Sequence, residues 1–192
     1  MYKGKTLPYS REGKIESPIT DEEFNHGMEY GKFLQSSHEA YCVLLFYSAV
    51  RKTEGLRTIR EQFTLTKDTI YFEVGQRLKH SKKTPTLPLS LNAPYMDRLK
   101  YQIDVTLPHE RVFPFSDKTA YNVVRRAFKY PHLFRLSRIT WFFSPHPELN
   151  RPQGFSIGEV VNWTGLSLAA LDYYLGLVVV AEMGRALGGV KR

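Results

Sequence analysis

The first 18 residues show no hydrophobic period, are polar and carry Pro8 and Pro18, so they read as a flexible arm. Order is expected from Thr20. There Thr20, Asp21, Glu22 and Glu23 have the S/T-x-x-E form of a capping box, which predicts a helix running to about Leu34. A second helix is expected from about His38 to Ala49, with Tyr41, Leu44, Leu45 and Tyr47 to Ala49 supplying its apolar face. Arg51 falls just past the end of that helix, where a side chain can turn out of the core toward a ligand.

The pattern changes over Phe63 to Leu91, which is rich in Thr, Val, Ile, Tyr and Phe and is broken by Gly75 and a lysine-rich stretch. This composition predicts a small antiparallel sheet. Lys79, Lys82 and Lys83 lie between Ile70–Val74 and Thr84–Leu89, at the tip of the expected hairpin. Beyond Pro94 the period becomes helical again, over Met96 to Tyr101 and Lys118 to Phe128. Pro108, Pro114, Pro131, Pro145, Pro147 and Pro152 punctuate the loops. No repeat or low-complexity tract occurs. The expected fold class is α+β, mainly helical with a small antiparallel sheet, in one compact domain over residues 19–192.

Composition narrows the setting. The chain has 192 residues, of which 42% are hydrophobic and 24% charged, enough for a sizeable core. Lys plus Arg number 27 against 19 Asp plus Glu, and the resulting +8 suits a polyanion, since each phosphate neutralised releases counterions. The single Cys42 sits in an apolar run, forms no intrachain disulfide and reads as a small buried hydrophobe in a reducing compartment. No apolar run is long enough to span a bilayer, which together with the lone cysteine predicts a soluble, cytoplasmic protein not associated with a membrane.

Several residues have the chemistry for phosphoryl transfer. That reaction needs fixed cations against the equatorial oxygens, with nucleophile and leaving group in line. Arginine meets the first need, because its planar fork binds phosphate through two parallel hydrogen bonds and keeps its proton. Arg51 and Arg135 come from different segments, as clamping from two sides requires. His132, near Arg135, can move a proton. A tyrosine with an ordinary pKa near 10 is a poor nucleophile until its proton is drawn off or its anion stabilised, and nearby arginines can do the latter.

These blocks resemble those of the tyrosine recombinase (integrase) family. Leu44 to Val50 leading to Arg51, with Glu54 three residues on, is similar to that family's first arginine box. His132-Leu-Phe-Arg135 followed by Ser137 and Arg138 is similar to its H-x-x-R box, in the form common among archaeal and plasmid-borne integrases of mobile elements. Lys79 to Lys82 before Thr84–Leu89 resembles the hairpin carrying the family's lysine. Trp163 and Tyr173 resemble its final histidine-or-tryptophan position and its nucleophile. The chain departs from the pattern at Ala49-Val50, where the family usually has glycine before the arginine, and at Leu136, where it more often has histidine. Many members place the tyrosine nine residues after the His-or-Trp, which here is Asp172. A ten-residue spacing gives Tyr173, and Tyr174 stays open beside it.

The resemblance implies a fold, that of the tyrosine recombinase catalytic domain, and a mechanism. Arg51 and Arg135 would hold the scissile phosphate and His132 would assist. Trp163 would donate its indole N–H to a phosphate oxygen, and Lys79, with Lys82 and Lys83 as alternatives, would protonate the leaving 5′ oxygen. Tyr173 would form a 3′-phosphotyrosyl intermediate, with neither cofactor nor metal. The implied partner is double-stranded DNA, with a homo-tetramer assembled on it through the apolar tail Leu175 to Ala181, and an accessory DNA-binding protein as a further expectation. Two other readings stand beside site-specific recombination: a recombinase-derived protein that binds DNA without cutting, and a type IB topoisomerase-like nicking-closing enzyme.

Overall fold

The computed structural model describes residues 18–75, 85–146 and 153–176. The helix expected from Thr20 is α1, Asp21–Tyr30, and its capping box is formed as expected: the Thr20 hydroxyl accepts from the Glu23 amide while the Glu23 carboxylate accepts from the Thr20 amide. It ends four residues earlier than the hydrophobic pattern suggests, at Gly31, where the backbone turns extended. Helix α2, Ser36–Ser48, buries nearly every residue from His38 to Phe46 and is the hub of the main core. A short α3, Lys52–Leu56, and a 3-10 turn, Arg60–Gln62, lead into the sheet.

The sheet has three antiparallel strands in the order β1 (Phe63–Leu65), β2 (Thr69–Glu73) and β3 (Thr86–Ser90). Alternation of burial sets its inner face: Ile70 and Phe72 of β2 pair with Leu89 and Leu87 of β3 and point into the core, while Tyr71 faces out opposite Pro88. Pro88 is tolerated because β3 is an edge strand. The lysines at 79, 82 and 83 and the hairpin tip expected there lie outside the described residues, as do most of the N-terminal arm and the tail beyond Gly176.

Among the described residues, helices α4 (Met96–Val105), α5 (Asp117–Ala127), α6 (Pro131–Phe143) and α7 (Ile157–Thr164) follow, and a further helical segment covers 168–176. The architecture is thus mainly helical with one small antiparallel sheet, as the sequence predicts. Pro131 corrects one expectation, since it opens α6 instead of marking a loop. The first helical turn has no use for the missing N–H, and the fixed φ of proline suits it. Helix α7 begins with a capping box formed by Ser156 and Glu159.

Two apolar clusters hold these elements. The larger gathers α1 to α5, the sheet and Phe134; the smaller joins Leu133, Leu136, Ile139 and Phe142 of α6 to Val160 of α7 and to Leu166, Leu171 and Tyr174. In the larger cluster the Phe24 ring stacks on Phe46 at 3.9 Å and on Phe128 at 5.5 Å. Gly27 lets α1 approach this stack, because a Cβ there would lie 2.2 Å from the Phe128 ring. Gly27→Ala is expected to destabilise the fold by about 1–3 kcal/mol through overpacking, read as a lowered midpoint in thermal unfolding.

Candidate active site

Local backbone geometry delivers Arg51. Helix α2 stops at Ser48, Ala49 takes a left-handed conformation at φ 56°, and Val50 is buried again. This turn points the chain out of the core at Arg51, which caps α3 in an extended conformation with its side chain exposed. On α6, His132 and Arg135 are three residues apart and so share one helical face. A helical segment over 168–176 carries Tyr173 and Tyr174. All five side chains line one cleft of about 740 Å3, together with Lys52, Tyr121 and Tyr130.

A carboxylate organises the two arginines. Glu54 Oε1 pairs with the Arg51 guanidinium at 2.5 Å, while its Oε2 accepts from the Arg51 backbone amide at 2.7 Å and lies 3.9 Å from Arg135 Nη1. Burial pushes the Glu54 carboxyl up, but the two Arg51 hydrogen bonds and the charges of Arg51 and Arg135 outweigh it and hold the pKa below the usual carboxylate value. Arg135 is only 4% exposed, and its Nη2 donates to the Thr164 carbonyl at 2.8 Å, tying α6 to the end of α7. The fork is therefore fixed before any ligand arrives. Lys52 is held at the cleft edge by Asp117, 2.6 Å away.

His132 and Tyr174 form the second half of the site. Their rings stack at 5.3 Å, and the Tyr174 hydroxyl is 3.5 Å from His132 Nδ1. Desolvation on the ring's inner side and then the Arg135 charge lower the His132 pKa below 6.5; its exposure at the cleft mouth lets water screen part of this. The imidazole is thus neutral at physiological pH. Burial raises the Tyr174 pKa, while the Arg135 and Arg51 charges and a hydrogen bond from Arg135 act in the opposite sense. Tyr173 meets Tyr174 edge-on at 5.8 Å.

The cleft thus brings together Arg51, His132, Arg135 and Tyr173 of the expected set. Lys79 lies outside the described residues. Trp163 is placed differently from the expectation: it lines a second cavity of about 760 Å3 on the other side of α6, where its ring meets Phe142 at 5.1 Å. Position on α7 decides this, since Trp163 packs against both apolar clusters. Arg138 also lines that cavity, its guanidinium 3.7 Å from the Trp141 ring centroid, and burial pushes its pKa down to about 10. Sequence reasoning noted Glu54 in the first arginine box without giving it a role, and did not place Lys52, Tyr121 or Tyr130 at the site. For Glu54 a signal existed, its position three residues after Arg51 at a helix start. Among the described residues no cluster of three or more His, Cys, Asp or Glu is placed to hold a metal, and no helix is long and apolar enough to cross a membrane.

This arrangement of helices around a small three-stranded antiparallel sheet is the fold of tyrosine recombinase catalytic domains. Among solved structures the chain is similar to the XerH site-specific recombinase bound to difH substrate in a pre-cleavage complex, with TM-score 0.60 and 14% identity over 85% of this chain and 51% of that one. It is likewise similar to XerH bound to palindromic difH substrate in a post-cleavage complex, with TM-score 0.60 and 14% identity, covering 91% of this chain and 53% of that one. The XerA recombinase matches with TM-score 0.57 and 16% identity, covering 97% and 70%. The chain spans about half the length of the XerH chains. No family model and no curated protein matches the sequence.

Proposed function

We propose that this chain cuts and rejoins double-stranded DNA as a site-specific recombinase, through a 3′-phosphotyrosyl intermediate. The observation that carries the reading is the convergence of two guanidiniums, an imidazole and a tyrosine pair from three separate segments on one cleft. Arg51 and Arg135 hold the scissile phosphate, and the buried fork of Arg135 meets the charge that develops on the equatorial oxygens. Lys79 protonates the leaving 5′ oxygen. Residues 19–192 act as the catalytic domain, assembling as a homo-tetramer on DNA through the C-terminal tail, with an accessory DNA-binding protein adding affinity for the site. The net charge of +8 supports a salt-sensitive grip on the phosphate backbone. The class of the solved neighbours, recombinases of which two are bound to difH substrate, supports the same partner.

The test is a covalent-trapping assay on a pool of short nicked duplexes of randomised sequence, in buffer containing a chelator. The expected outcome is a protein–DNA adduct that survives denaturing electrophoresis and is removed by protease. Binding of the pool with no adduct would instead support a protein that holds DNA without cutting it.

A further inference from the structure

We infer that Tyr174, not Tyr173, is the attacking tyrosine, that it works in cis on the phosphate held by its own chain's Arg51 and Arg135, and that His132 receives its proton. This rests on the recombinase reading above and names the residues that carry its first step. Adjacent residues of a helix point about 100° apart, so Tyr173 and Tyr174 cannot present their hydroxyls alike. The Tyr174 hydroxyl sits 3.5 Å from His132 Nδ1, on the same helical face that carries Arg135. It also feels the charges of both Arg135 and Arg51, the two cations that would flank the phosphate.

The ring is fixed as well as near. Tyr174 is 6% exposed, stacks on His132, and belongs to the apolar cluster that includes Leu133, Leu136 and Leu171 of the same chain. An aromatic ring so enclosed is held in place without a second protomer, and that places nucleophile and clamp in one chain. In the step itself the Tyr174 oxygen forms a bond to phosphorus and the bond from phosphorus to the 5′ oxygen breaks. The phenolic proton passes to Nδ1 of neutral His132, which requires the tautomer protonated at Nε2. The departing 5′ oxygen takes a proton from a separate acid, so atoms and charge balance.

The trapping assay on the randomised nicked duplexes decides it, using the full chain as wild type, Tyr173→Phe, Tyr174→Phe, and an equimolar mixture of Tyr174→Phe with Arg135→Ala. Each tyrosine change removes one oxygen and keeps the ring, and circular dichroism confirms that the variants are folded. The expected result is adduct from wild type and Tyr173→Phe, a loss of at least a hundredfold in Tyr174→Phe, no recovery in the mixture, and a tryptic DNA-peptide adduct mapping to Tyr174. Loss in Tyr173→Phe with retention in Tyr174→Phe would overturn the assignment. Recovery of adduct in the mixture would overturn cis attack, because only a protomer lending its tyrosine to another's arginines could cut. Wild type without adduct would remove the recombinase reading itself and this inference with it.

Discussion

Arg135→Ala is expected to slow adduct formation by at least about 10³-fold, equivalent to about 4 kcal/mol of transition-state stabilisation, while leaving most of the salt-dependent DNA binding. The side chain is 4% exposed and held by the Thr164 carbonyl and the Glu54 carboxylate, so its fork is oriented in a dry setting where a charge counts far more than in water. Binding is expected to survive because surface Lys and Arg, which position without performing chemistry, would supply most of the phosphate contacts. The measurement pairs single-turnover adduct kinetics with titrations of a labelled duplex at several salt concentrations. Cutting at the wild-type rate by a folded Arg135→Ala protein would dismiss the phosphate clamp.

Glu54→Gln is the second large effect, felt in both stability and rate. The variant keeps the shape but loses a carboxylate that accepts from the Arg51 amide and pairs with its guanidinium, and hydrogen bonds to charged groups contribute about 1.5–3 kcal/mol each. A stability loss of that order at pH 7 is expected, with adduct formation about 10- to 100-fold slower as Arg51 loses its anchor. The pH dependence gives the check. Because the folded pKa of Glu54 lies below its ordinary value of 4.5, its contribution is complete above that pH and fades as pH falls through the folded value. Denaturant unfolding at neutral pH and in acid should show the gap between wild type and variant closing in acid. An equal gap at both would mean that Glu54 acts through packing, not charge.

Much of this was readable from residue types. The capping box at Thr20, the apolar face of α2 and the β-branched run after Phe63 are local signals with local causes, and their elements appear close to where they were expected. Arg51, His132 and Arg135 were singled out by the chemistry of their side chains and by their likeness to the recombinase boxes, and the fold brings all three to one cleft. Helix α6 was not foreseen as such, because Pro131 reads as a breaker until its place at the first turn is known. Trp163 shows the limit of motif reading: spacing along the chain cannot say which side of α7 faces which cavity. The choice between Tyr173 and Tyr174 has the same cause, since one residue along a helix is a rotation and only packing against α6 decides which ring turns inward.

One consequence follows from Tyr174 being counted in the smaller apolar cluster. On the assignment of Tyr174 proposed above, one side chain would be both the reactive group and a stone in the wall of that cluster. Segment 168–176 cannot swing away without withdrawing Leu171 and Tyr174 from α6 and α7, leaving Leu133 and Leu136 facing water. On the proposed reading, the free energy that keeps this subdomain closed would be the same quantity that keeps the tyrosine poised, and whatever loosens the one would disarm the other.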